Sequence, residues 1–291
     1  MRFSYATIAL PTLTPLQAIE ELSRSGYRGV EWKVGEAPHA MSSTSAFSFL
    51  KNNKCTLDPD STDRKEIRDA CEAAGLTIVG LGPYLAVGDE DGLQRMMLLA
   101  SDLGASQVRL QAPRTTSGTF DYPKLAEETR QYLAFAEDLA ATTGVRVVLE
   151  MHHDTIAPSA SLAFALVSKL DPARIGVIYD AGNVVWEGYE NPRMAFQILG
   201  PYLHHVHLKN ATVARSAPGA KWGHAWSPLD AGMVPVAEVL GLLDDHGYTG
   251  WVSLEDLSTE RDPVATLRFN AAVLSGIPEA SWPGASAGSV R

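Results

Sequence analysis

The sequence holds 291 residues, 45% of them hydrophobic, with 24 Lys and Arg against 34 Asp and Glu, a formal net charge of −10. That acidic balance, with no run of Lys or Arg, argues against a sequence-independent nucleic-acid surface or an anionic-membrane surface, because both need clustered cations to displace counterions. A neutral sugar or polyol suits it better as a partner. The two cysteines, Cys55 and Cys71, match no zinc or redox spacing and are expected as free thiols. No segment approaches the roughly 18 uninterrupted apolar residues of a membrane span, and Met1 runs into a strand-like stretch without a signal-peptide pattern, so a soluble cytoplasmic protein is expected.

Hydrophobic periodicity predicts a strand over residues 2–10 and a helix over 15–25, closed by Gly26. The same phrase then recurs: strand 27–34, helix 62–74 closed by Gly75, strand 76–82, and a helix from about 89 to 103 stopped by Gly104. Strand 106–112, helix 122–143, strand 145–151, helix 159–170 and strand 174–180 follow. A short helix over 192–199, strand 203–209, helix 234–246, strand 251–255 and helix 262–274 complete eight β/α pairs.

Strands that alternate with helices imply parallel pairing, and eight such units in roughly 250 residues predict a single (β/α)₈ TIM barrel over residues 1–276, followed by a flexible tail over 277–291. An open dinucleotide-binding sheet is disfavoured, since no Gly-x-Gly-x-x-Gly follows the first strand, and no Walker-type phosphate loop is present. Two connections exceed what a barrel needs and are expected to be functional. One spans 35–61 and carries Phe47, Phe49 and Leu50; the other spans 210–233 and carries Lys221, Trp222, His224 and Trp226.

In a barrel, side chains at the C-terminal strand ends converge on one mouth. The last four strands each deliver a polar group there: Glu150, Asp180, His207 and Glu255. Three carboxylates and an imidazole at neighbouring strand ends would repel one another if left alone, and a divalent cation is the simplest compensation. Mostly oxygen ligation with one nitrogen suits Mn²⁺ first, with Mg²⁺, Co²⁺ and Zn²⁺ also fitting, and leaves positions open for substrate oxygens.

Strand alternation extends the candidate site. Lys209 and His152 each stand two residues beyond a proposed ligand and should share its side, Lys209 as an acid or oxyanion partner and His152 as a contact to substrate hydroxyls. His153 is expected to face away as a packing or surface residue. Glu31, which ends strand two beside Lys33, is a substrate-binding candidate, with Trp32 between them packing outward. Trp186, Trp222 and Trp226 in mouth loops could stack on a sugar ring, and His224 and Arg215 are further contacts in the strand-seven loop.

The segments Leu149-Glu150-Met151-His152, Asp180-Ala181-Gly182-Asn183, His205-Val206-His207-Leu208-Lys209 and the run from Gly247 to Glu255 resemble the xylose isomerase-like barrel superfamily, the sugar isomerase and epimerase group that also includes endonuclease IV. The likeness covers nearly the whole chain. It implies that Glu150, Asp180, His207 and Glu255 hold one metal and that Glu150 and Glu255 double as the acid/base pair flanking the sugar. The endonuclease IV pattern fails here. Strand three ends in Gly82-Pro83-Tyr84, strand four in Gln111, and Asn183, a candidate substrate contact, stands where a zinc-binding His would be.

The resemblance therefore implies a metal-dependent isomerase or epimerase of an unphosphorylated sugar, acting through an enediolate. Next comes a lyase, in which the same enediolate expels a hydroxyl or glycosyl group, as in dehydratases of cyclitols or dehydroshikimate or in carbon–glycoside cleavage, with Lys209 as the acid. A non-catalytic sugar-binding subunit is disfavoured because all four ligand positions are intact. A homo-oligomer is compatible with the sequence.

Overall fold

Eight strands alternate with eight helices along the chain. In order they are β1 (Arg2–Ala6), α1 (Pro15–Arg24), β2 (Gly29–Val34), α2 (Arg64–Ala73), β3 (Thr77–Gly82), α3 (Glu90–Leu103), β4 (Gln107–Gln111) and α4 (Tyr122–Thr143). The second half holds β5 (Arg146–Glu150), α5 (Ala160–Val167), β6 (Ile175–Asp180), α6 (Pro192–Leu199), β7 (Leu203–Leu208), α7 (Val236–Asp245), β8 (Trp251–Leu254) and α8 (Pro263–Ser275). The computed structural model describes residues 1–35, 49–116, 120–215 and 217–277. The tail expected over 277–291 lies, from residue 278 on, outside the described residues, as does Phe47.

Each strand pairs in parallel with its sequence neighbours, and β1 pairs with both β8 (Tyr5 opposite Leu254) and β2 (Ala6 opposite Glu31), which closes the sheet into the predicted barrel. Strand parity divides the chemistry. Val147, Leu149, Val177, Tyr179, Val206, Leu208, Val252 and Leu254 are all buried on one parity, where the helices cover the sheet. Burying each such side chain stabilises the fold by roughly 1.5–3 kcal/mol. The opposite parity, which lines the barrel, carries Glu31, Arg109, Glu150, Asp180, His205, His207 and Glu255, all buried.

Local signals set the helix ends. Thr14 and Gln17 form a reciprocal capping box at α1, and Asp89, Asp121, Ser159, Asn191 and Asp262 each accept a backbone N–H at the start of their helices. Each such cap contributes about 1 kcal/mol. Gly104 and Gly144 end α3 and α4 at φ of 72° and 70°, a conformation that a side chain would strain.

Three segments depart from the sequence expectation. The first strand stops at Ala6, because beyond the rim no neighbour continues the ladder; Thr7–Ala9 coils into a 3₁₀ turn, and Thr7 Oγ1 accepts the Lys33 backbone N–H at 2.8 Å. The long connection after β7 is a built element, an antiparallel hairpin of Asn210–Arg215 with Trp222–Ser227. A short helix, Asn183–Trp186, interrupts the connection after β6. Cys55 and Cys71 are free and buried, and among the described residues no helix is long and apolar enough to cross a membrane.

The lower interior of the barrel is tight at Gly29, where a Cβ would meet Val79 Cγ2 at 2.7 Å, the Trp251 ring at 2.8 Å and Ser4 Cβ at 3.0 Å. We expect Gly29→Ala to lower stability by about 1–3 kcal/mol through overpacking, read as a lower urea midpoint at unchanged slope. An unchanged midpoint would mean that Trp251 and Val79 can move aside.

Candidate active site at the barrel mouth

The four predicted strand-end residues converge. One ligand atom each from Glu150, Asp180, His207 and Glu255 lies within 4.8 Å of the others, and all four side chains are buried. The register explains it: Asp180 stands opposite His207 across β6 and β7, and β8 delivers Glu255 one residue past Leu254, itself opposite Leu208.

Each donor is oriented by a second contact. Asp180 Oδ1 accepts the backbone N–H groups of Gly182 at 3.0 Å and Asn183 at 2.8 Å, so Oδ2 is left facing the mouth without a hydrogen-bond partner. Its nearest cation is Lys209 Nζ, 2.8 Å away but not directed along a hydrogen bond. His207 turns Nε2 toward Glu31, with Oε2 at 3.0 Å and Oε1 at 3.1 Å. A proton on Nε2 serves those carboxylate oxygens, and Nδ1 is the ring atom turned toward the mouth. There Nδ1 stands 3.3 Å from Glu150 Oε1, 3.5 Å from Asp180 Oδ2 and 4.0 Å from Glu255 Oε2.

Two cations hold the outer carboxylates. Arg109 donates from Nη1 to Glu150 Oε2 and from Nη2 to the Pro83 carbonyl, both at 2.9 Å, while Lys209 hydrogen-bonds Glu255. Burial works against ionised Glu150, yet Arg109 and then His207 outweigh it and hold its pKa well below the usual carboxylate range. Burial likewise opposes charge on His207, but Glu31, with Asp180 and Glu150, pulls its pKa well above the ordinary histidine value. Four buried carboxylates, Glu31, Glu150, Asp180 and Glu255, thus face three basic side chains, Arg109, His207 and Lys209. The remaining negative charge and the mixed oxygen and nitrogen donor set fit one divalent cation.

Above this cluster a cavity of about 230 Å³ opens between Tyr84 and Arg109 on one side and His152, Trp186 and Trp226 on the other. The hairpin after β7 builds the second wall: Trp226 stacks on Trp186 with ring centroids 4.7 Å apart, and His224 stacks on Trp186 at 5.0 Å. Phe49 and Leu50, from the long connection after β2, also line it.

Several expectations need correction. His153 does not face away: the alternation ends with β5 at Glu150, and the ring packs on Trp186 at 4.4 Å and lines the mouth. Asn183 is fully buried, donating from Nδ2 to the Met151 carbonyl at 3.1 Å with Oδ1 3.0 Å from His153 Nδ1, so it braces the loop and does not line the cavity. Glu31 pairs with His205 and His207 beneath the mouth and does not line the larger cavity. Trp222 is 63% exposed and stacks under Arg215, away from the mouth. His224 reaches the wall only through Trp186 and does not line the cavity.

Arg109, His205 and Tyr84 escaped sequence reasoning. A signal existed for the first: Arg109 interrupts the apolar Val108 and Leu110 and shares the parity of Gln111 at the mouth. His205 offered a weaker one, two residues before His207.

The xylose isomerase-like TIM barrel family matches residues 19–275. An inosose dehydratase of Klebsiella pneumoniae is 34% identical over 149 residues, 46% of this chain, and that match spans about half the length of the curated relative, 48%. The inosose dehydratase of Lacticaseibacillus casei is 25% identical over 280 residues, 88% of this chain and 86% of that enzyme. In fold, the chain is similar to the probable 3-DHS dehydratase AsbF of Bacillus anthracis, with a TM-score of 0.72 and 19% identity over 96% of this chain and 100% of that one. With the closed eightfold barrel and a family match across residues 19–275, the chain belongs to the xylose isomerase-like TIM barrel family.

Proposed function

We propose that this protein is a divalent-metal-dependent lyase that eliminates water from a small keto-sugar or ketocyclitol. The observation that carries the reading is the unequal treatment of the two glutamates: Glu150 is held by Arg109, a permanent cation, and Glu255 by Lys209, an ammonium that, against the cost of burial, Asp180 and Glu255 keep charged by raising its pKa above the ordinary lysine value and that therefore carries a proton to give. An epimerase that serves two faces of a sugar needs two interchangeable carboxylates. An elimination needs one base and one acid, and the mouth offers that pair. The sequence relatives, inosose dehydratases, support elimination over the isomerisation expected first.

A divalent ion held by Glu150, Asp180, His207 and Glu255 would supply positive charge beside the substrate carbonyl oxygen, lowering the cost of removing the adjacent proton. Manganese is the first expectation; magnesium, cobalt and zinc suit the same donors. Glu150, kept ionised by Arg109, takes the α proton. Lys209 Nζ, positioned by Glu255 and Asp180, protonates the departing hydroxyl, so a C–H and a C–O bond break, a carbon–carbon double bond forms, and water leaves. Trp186 and Trp226 offer flat apolar faces to the ring and shield the mouth from solvent.

Chelation with EDTA should abolish formation of the unsaturated product from an inosose or a dehydroshikimate, followed by its absorbance, and a divalent ion should restore it. Glu150→Gln should lower kcat by roughly 10²–10⁴-fold. Lys209→Met should slow water loss while leaving exchange of the α proton with D₂O. Interconversion of epimers without any unsaturated product in the unmodified protein would return the function to isomerase.

Glu31→Gln replaces a charged acceptor of the His207 Nε2–H with a neutral one, and metal affinity should fall by about 10–100-fold in competition with a chromophoric chelator. Unchanged affinity would show that Glu31 serves only the packing of His205.

A further inference from the structure

Lys33, near the end of β2, is a buried cation without an acid. It is 8% exposed, and among the described residues it has no carboxylate at ion-pair distance and donates no side-chain hydrogen bond. Its Nζ lies 5.6 Å from the centroid of the Tyr84 ring, and Arg109 packs on the same ring with Cζ at 4.5 Å. Burial, and then the charge on Arg109, push the Lys33 pKa below the ordinary lysine value. The chain therefore places two cations side by side and leaves one of them unpaired, an arrangement that is costly unless an anion arrives from outside.

Lys33 lines a narrow recess together with Thr7, Glu31 and His207, and this recess shares Ile8, Tyr84, Arg109 and Glu255 with the larger cavity of the mouth. The recess thus adjoins the space in which a ring would sit beside the clustered carboxylates. At about 20 Å³ it has the room of roughly one water molecule, which suits a single carboxylate oxygen and excludes a phosphoryl group.

The other buried charges already have partners. Arg109 is paired with Glu150, Lys209 with Asp180 and Glu255, and Glu31 with His205 and His207. With a divalent ion on its four ligands, His207 serves as a neutral donor, and the ion, Arg109 and Lys209 together match the four carboxylates. Lys33 is then a surplus of one positive charge. Arg114 also lines the larger cavity but is exposed, so water and salt screen it. The acidity of the chain as a whole does not oppose an anion here, because the field inside a narrow cleft is set by its own walls.

We infer that Lys33 recognises a carboxylate on the substrate, so that the mouth takes a keto-sugar or ketocyclitol whose ring bears an acid in preference to a neutral one. The ammonium donates to the carboxylate in a charge-assisted hydrogen bond, which a hydroxyl in the same place would not match. The inference rests on the mouth being the substrate site, as in the proposed function, and narrows the substrate class; it is independent of whether elimination or epimerisation follows.

The test is calorimetric titration of the manganese-loaded full chain with shikimate and with quinate, each compared with its uncharged methyl ester. Neither acid has a ketone, so binding is read without turnover. At least one acid should bind about tenfold or more tightly than its ester, and Lys33→Met should remove that preference while leaving the affinity for the ester within about twofold. Lys33→Arg, which keeps the charge, should retain the preference. Should circular dichroism show that Lys33→Met does not fold, Lys33→Gln takes its place. Equal binding of acid and ester by the unmodified chain overturns the inference, and so does a preference for the acid that survives loss of the Lys33 charge. Binding of neither acid nor ester overturns it together with the reading of the mouth as the substrate site.

Discussion

Burying Glu31, Glu150, Asp180 and Glu255 in one barrel mouth imposes a charge balance on which the neighbouring structure depends. An ionised carboxylate taken out of water costs several kcal/mol unless it is paired and hydrogen-bonded. Here the pairing is distributed: Arg109 serves Glu150, Lys209 serves Asp180 and Glu255, and His207 is shared by carboxylates on both of its nitrogens. No pair is independent, since removing one partner strands a charge that the others have already been arranged around. Such a network needs a frame that does not yield, and a closed ladder of eight strands with apolar side chains on its outer face supplies one.

Much of this was legible in the sequence, and the boundary of what was legible has a physical cause. Within a strand, side-chain direction alternates strictly, so Glu150, Asp180, His207 and Glu255 could be placed at one mouth from strand ends alone, and Lys209 was carried along by the same parity. That reasoning stops where the ladder stops. His153 lies past the end of β5, where Asp154 turns into a left-handed conformation at φ 57°, and its ring swings back over the mouth. Asn183 sits at the start of a short helix that no pattern announced. The Glu31 contacts to His205 and His207 join residues 174 and 176 positions apart across the barrel, a relation set by closure and invisible to any local period. The hairpin after β7 was foreseen only as a long loop, because its pairing of Asn210–Arg215 with Trp222–Ser227 has few of the residues that advertise strands.

The same closure gives His207 its chemical direction. An imidazole has two nitrogens, and which one faces the reacting side depends on what the other one meets. With Nε2 against Glu31, Nδ1 is the atom presented to Glu150, Asp180 and Glu255. β2, which contributes none of the four residues at the centre, thereby determines how β7 contributes one of them. The fourth strand acts similarly on the fifth, since Arg109 fixes the position of the Glu150 carboxylate by anchoring itself to the Pro83 carbonyl as well. The last four strands thus supply the clustered groups, and β2 and β4 orient two of them.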